Sequence, residues 1–165
     1  MTISKNKVSH FTEYIDNWDS GTQINSVHKN TDIAFSPNII WSSQFNYKIR
    51  NNIELGFNSK YVGAQYIDNT SSQERMLDDY LINNLHLIYH WKNQFFKETI
   101  ISVQINNLLN TQYESNAWTY HFISNNYDPR PYDPYVTKSN QEGYNLTAYF
   151  PQAGRHYLIA LKLKI

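Results

Sequence analysis

RHYLIALKLKI, residues 155–165, is the stretch from which the fold class follows. At every second position Tyr157, Ile159, Leu161, Leu163 and Ile165 fall on one side, and all are large and apolar. His156, Leu158, Ala160, Lys162 and Lys164 fall on the other, and three of these are basic. A β-strand repeats every two residues, so this is a strand with one apolar face and one mostly polar face. The apolar face requires burial, either by other strands or by lipid.

The same alternation recurs upstream. Residues 39–49 set Ile39, Trp41, Ser43, Phe45, Tyr47 and Ile49 against Ser42, Gln44, Asn46 and Lys48. Residues 53–66 set Ile53, Leu55, Phe57 and Tyr61 against Glu54, Asn58 and Lys60. Residues 81–91 place Leu85, Leu87, Tyr89 and Trp91 opposite Asn84, His86 and His90. Residues 99–109 place Ile101, Val103 and Ile105 opposite Ser102, Gln104 and Asn106. Further strands are expected over 5–15, 30–36 and 113–123, with 144–150 leading into the last one. Polar connections are expected over 16–30, 50–52, 68–79, 92–97, 110–112 and 124–143. Pro129, Pro131 and Pro134 exclude a regular strand from the last of these. The pattern is all-β, about eight strands joined mostly by short hairpin turns, with no helix.

Composition narrows the setting. The 165 residues suit one domain. Lys plus Arg equals Asp plus Glu at 14 each, so no basic footprint points to nucleic acid. The absence of cysteine excludes a disulfide framework and thiolate metal sites. No run of about 18 apolar residues is present, which excludes a transmembrane helix. The mean hydropathy of −0.63 is polar, but strands that alternate between lipid and lumen average out polar as well. Trp41, Tyr47, Tyr89, Trp91 and Tyr157 stand near strand ends, as aromatic girdles do at the two interfaces of a bilayer. A soluble sandwich has equally apolar inward faces, so periodicity alone leaves both settings open. The opening MTISKNKVSHF has no apolar core and is not a signal peptide. The expectation is a mature form or a piece of something longer.

Short segments add a resemblance. INNLLNTQY (105–113), NAWTYHF (116–122) and YFPQAGR (149–155), followed by the closing alternating strand, resemble the C-terminal end of a TonB-dependent outer-membrane receptor. DIAFSPN (32–38) and YVGAQYIDN (61–69) also resemble segments of such barrels. The resemblance implies an antiparallel transmembrane β-barrel of about 22 strands with a plugged lumen. Residues 1–165 would be its C-terminal part, with the plug and N-terminal strands absent. It implies an outer-membrane location and energised uptake of a scarce nutrient, such as an iron chelate or another large solute. The implied partners are the lipid bilayer, the plug, the remaining strands and an inner-membrane energy-coupling protein. With the last strand ending in the periplasm, residues 99–109 and 155–165 would both run inward. Residues 92–97 would then face outside and 68–79 the periplasm. Two alternatives remain: a complete eight-stranded outer-membrane barrel with a structural or adhesive role, and a soluble β-binding module.

Glu54, Lys60, His86, His90, Gln104, His156 and Lys162 are expected to face the lumen. His86 and His90 share a strand face but stand about 13 Å apart at about 3.3 Å per residue, too far for one ion. No metal or cofactor is expected. No nucleophile motif, paired acids or Gly-rich phosphate loop occurs, so no enzymatic chemistry is expected. In YDPRPYDPY (127–135), Tyr127, Arg130, Tyr132 and Tyr135 are candidates for contact with a substrate from outside.

Overall fold

The computed structural model describes residues 1–92 and 94–165. Asn93, in the expected 92–97 turn, lies outside the described residues. The described residues form strands and no helix. In chain order these are β1 (Thr2–Ile3), β2 (Lys7–Asn17), β3 (Thr22–Asp32), β4 (Ile39–Arg50), β5 (Ile53–Val62), β6 (Gln65–Tyr66) and β7 (Met76–Leu77). They are followed by β8 (Tyr80–Trp91), β9 (Glu98–Asn106), β10 (Glu114–Ile123), β11 (Val136–Lys138), β12 (Tyr144–Pro151) and β13 (His156–Lys164).

The clearest alternating stretches make one open sheet, in the order β1-β4-β5-β8-β9-β13. All of its pairings are antiparallel. Register turns the separate strand patterns into two continuous faces. Phe45, Phe57, Leu85 and Ile105 form one row, and Tyr157 extends it onto β13. Tyr47, Leu55, Leu87, Val103 and Ile159 form the next. Ile53, Tyr89, Ile101 and Leu161 form a third. Nothing in the described chain covers this face. Ile159 is 77% exposed, and Trp41, Phe45, Tyr47, Leu87, Trp91 and Leu161 are exposed too. The sheet also has two open edges. β13 pairs only with β9, and β4 meets β1 only at Ile39 and Ile40.

Strand direction differs from expectation. Residues 99–109 and 155–165 were expected to run the same way, yet β9 and β13 pair antiparallel from Asn106–His156 to Glu98–Lys164. Residues 113–123 and 144–150 do form strands, but neither enters this sheet. The chain leaves the sheet after Asn106 and returns at His156. Lys92 and residues 94–97 therefore lie at the Ile165 end, where the Lys97 amide donates to the Lys164 carbonyl at 2.9 Å. Residues 68–79 lie at the opposite end, beside the 107–155 excursion. Two asparagines shape the departure. Asn107 (φ 51°) and Asn110 (φ 56°) are left-handed, a conformation that asparagine tolerates better than most residues. The Asn107 Nδ2 donates to the carbonyls of Thr111 and Ala153, and the Asn110 Oδ1 accepts from the Arg155 amide.

A second sheet has the order β11-β12-β10-β2-β3. Residues 16–30, expected as a loop, instead supply the end of β2, a tight turn and most of β3. The turn is local chemistry: the Asn17 Oδ1 accepts from the amides of Asp19 and Ser20, and Gly21 takes φ +67°. β10 meets β2 in a short parallel contact, Phe122 beside Asp16 and Ile123 beside Asn17. The core here is small. Phe122, 1% exposed, packs with Val136 and Tyr144, and Trp18 stacks on its ring at 4.1 Å between centroids. Gly143 is required at φ +94°, where a Cβ would come within 2.2 Å of the Phe122 carbonyl oxygen. A second small cluster joins Ile67, Leu77 and Ala117.

Candidate functional site

Three excursions, residues 4–38, 63–79 and 107–155, meet at the end of the open sheet opposite Ile165. Arg75 ties them together. It comes from 63–79, is 2% exposed, and each of its neighbours belongs to one excursion. Its Nη1 donates to Glu13 Oε1 on β2 at 2.6 Å and to Asp68 Oδ2 at 2.7 Å. Its Nε donates to Asn145 Oδ1 on β12 at 2.9 Å. A buried guanidinium is tolerated only with such a set of acceptors. The Asn145 Nδ2 donates onward to Glu74, which also accepts from the Ser139 hydroxyl and the Asn140 amide.

Glu13 is the second hub. Beyond Arg75, its carboxylate meets His28 Nε2 at 2.9 Å and His121 Nδ1 at 3.1 Å. Burial pushes the Glu13 carboxyl up, but hydrogen bonds from His121, Arg75 and His28, with the Arg75 charge, outweigh it and hold it at about 2. At the tip of the β2–β3 hairpin, the Asp19 carboxylate accepts from the amides of Asn125 and Asn126, and the first of these bonds holds its carboxyl below the usual range. The Tyr120 hydroxyl donates to Asp16 at 2.6 Å and likewise lowers the Asp16 carboxyl.

The 127–135 candidates lie at the surface, with Tyr127, Tyr132 and Tyr135 exposed. The Tyr127 and Tyr132 rings are stacked, with centroids 6.1 Å apart, and Tyr135 is exposed. Arg130 is engaged by Asp128 through Nε and Nη2, and its hydrogen bonds hold the Asp128 carboxyl at about 2. The Arg130 guanidinium also lies 5.8 Å from the Tyr144 ring centre, and the Lys138 Nζ lies 4.3 Å from it. The arrangement leaves tyrosine side chains exposed, with the Arg130 charge paired to Asp128.

Glu54, Lys60, His86, His90, Gln104, His156 and Lys162 all share the polar face of the open sheet, opposite the apolar rows. His86 stands between Gly56 and Gln104 in register. Its ring lies across Gly56, in the space that a Cβ there would need. His90 Nδ1 is 3.0 Å from Glu98 Oε1, and His156 Nε2 is 3.0 Å from Asn106 Nδ2. His86 and His90 thus have separate surroundings. Glu13, His28, Asp68, Glu74, Arg75, His121 and Asn145 were not among the sequence candidates. No local motif marks them, because the Arg75 partners on β2 and β12 lie 62 and 70 positions away.

No family model and no curated protein matches the chain. Two solved structures of the ferric-catecholate import receptor Fiu from E. coli K12 do. The likeness is one of fold. For the open form it has a TM-score of 0.51 at 15% identity, over 84% of this chain and 17% of the receptor chain. For the closed form the values are 0.50, 17%, 85% and 17%. This chain therefore matches a minor part of the length of Fiu.

Proposed function

We propose that the chain is the C-terminal part of a transmembrane β-barrel receptor of the TonB-dependent kind, in an outer membrane, taking up an iron chelate or another large solute. The observation that carries this reading is the uncovered apolar face that runs through β4, β5, β8, β9 and β13. So large a contiguous patch marks a binding or membrane surface. The strands have the length that a tilted membrane strand needs, about 9–11 residues. Trp41, Tyr61 and Tyr157 stand towards one end of the face, and Tyr47, Tyr89 and Trp91 towards the other. One end carries the short 50–52 and 92–97 turns, and the other carries the three long excursions, the asymmetry of an outer-membrane barrel. With Ile165 in the periplasm, β4, β8 and β13 run inward and β5 and β9 outward.

On this reading Glu54, Lys60, His86, His90, Gln104, His156 and Lys162 line the lumen and meet the plug. Tyr127, Arg130, Tyr132 and Tyr135 face arriving solute. The open edges of β4 and β13 pair with strands of the remaining barrel, because unpaired backbone in hydrocarbon costs several kcal/mol per group. The plug and an inner-membrane energy-coupling protein complete the machine, and the chain has no enzymatic step. The fold likeness to Fiu, a ferric-catecholate import receptor, supports an iron chelate as the cargo.

The test is the dependence on detergent. The chain should stay dispersed only in detergent or lipid, and brominated lipid should quench Trp41 and Trp91 but spare Trp18. A chain that is monomeric in plain buffer, or equal quenching at all three sites, overturns the membrane reading.

A further inference from the structure

We propose that His121 is a pH-operated latch whose charged form holds the 107–155 excursion to the β2–β3 hairpin. The argument is one of hydrogen-bond valence. His121 is 6% exposed, and both of its ring nitrogens face acceptors. Nδ1 lies 3.1 Å from Glu13 Oε1, and Nε2 lies 2.8 Å from the Glu142 carbonyl oxygen. A carbonyl only accepts, and so does an ionised carboxylate. A neutral imidazole carries one N–H and one lone pair, so it satisfies one of these partners and sets a lone pair against the other. The imidazolium satisfies both.

The charges around the ring favour the same form. Glu13 faces it from β2, and His28 on β3 meets the other oxygen of the same carboxylate. From 63–79 come Arg75, Asp68 behind it, and Glu74 through Asn145. Asn145, the register partner of His121 on β12, is a neutral amide. Lys138 and Arg130, from the neighbouring strand and loop, are turned to the Tyr144 ring and to Asp128. Two carboxylates therefore hold the guanidinium, and a third is linked to it through Asn145. His28 differs, because Nε2 is its bonded nitrogen and a neutral ring with Nε2–H meets that bond.

Loss of the proton leaves a buried acceptor pair without a donor, which weakens the junction between the two excursions. The latch is therefore closed while the ring is charged and opens when the ring loses its proton. This inference stands on side-chain geometry. That the junction would border the outer mouth of a barrel rests on the receptor reading.

The chain has no cysteine, so two spin labels can be placed cleanly. The full chain in detergent micelles, labelled at Lys29→Cys and Gln141→Cys, is measured by pulsed dipolar spectroscopy at about pH 5.5 and about pH 8.5, either side of the ordinary histidine range. The expected result is a narrow distance distribution that becomes at least about twofold broader at the higher pH. His121→Gln should abolish the response and His28→Gln should keep it. A distribution that is the same at both pH values in the otherwise native chain overturns the latch, as does a response that survives His121→Gln. If His121→Gln does not fold, His28→Gln still decides, because loss of the response there assigns the proton to His28 and refutes the proposal. The detergent requirement is read on the same sample, so failure of the receptor reading is distinguished from failure of the latch.

Discussion

The open sheet and the five-stranded sheet β11-β12-β10-β2-β3, here the outer sheet, treat their side chains in opposite ways. Every residue of β13 is exposed, whereas β10 and β12 contain Phe122 and Asn145, at 1% and 0% exposure. The open sheet aligns apolar side chains in rows and leaves them uncovered. The outer sheet has a core of a few aromatics and encloses carboxylates, a guanidinium and an imidazole. Its junctions are directional hydrogen bonds among three distant segments, while those of the open sheet are a backbone ladder between neighbours. One sheet depends on the medium around it, and the other on partners within the chain.

The largest effect that would test this contrast is Arg75→Ala. It removes the guanidinium from Glu13 and Asp68, and breaking a buried pair costs about 3–5 kcal/mol. Amide exchange should show the outer sheet losing protection while β8 and β9 keep theirs. Uniform loss across both sheets would break the distinction.

Acid should act on the same hub. The Glu13 carboxyl sits at about 2 when folded, against 4.5 ordinarily. Because the folded value is depressed, its contribution is fully present above 4.5 and is lost as the pH falls through that value towards 2. At about 1.4 kcal/mol per unit, this is about 3 kcal/mol. Unfolding titrations should show the loss in the native chain and a much flatter acid limb in Glu13→Gln.

The open sheet should respond to surroundings instead. Leu161→Arg should cost about 2–4 kcal/mol on folding into bilayers, while Lys162→Leu, on the opposite face, should cost little. Equal losses would remove the assigned facing. The smallest expected effect is at Gly56, where a Cβ would meet the His86 ring. Gly56→Ala should cost about 1 kcal/mol, and His86→Ala in the same chain should recover most of it.

The open sheet was largely legible in the sequence, because period two with one apolar face is a local signal. β4, β5, β8, β9 and β13 all carry it, and parity alone placed Glu54, His86, Gln104 and Lys162 on a common face. Strand direction was not legible. Residues 113–123 and 144–150 alternate well enough to pass as members of the same sheet. Their apolar positions, Tyr120, Phe122, Tyr144 and Leu146, are instead consumed in a separate core around Val136. Counting 113–123 as a strand between β9 and β13 inverted every strand before it. β3 was missed for another reason. TQINSVHKNTD has few apolar residues, so its pairing to β2, rather than its own periodicity, makes it a strand. The Arg75 and Glu13 hubs left no local trace, since their contacts exist only once the three excursions have come together.

Asn106 and His156 face each other across the ladder, and the Asn107 and Asn110 side chains stitch the two departing strands just beyond them. Everything from 107 to 155 therefore leaves and re-enters the open sheet through a single closed neck. The entropy of closing a loop rises only with the logarithm of its length. Such a segment is an interchangeable cassette: it can be lengthened, trimmed or grafted from another chain while β9 and β13 keep their register. Variation can then accumulate in the excursion without renegotiating the framework that carries it.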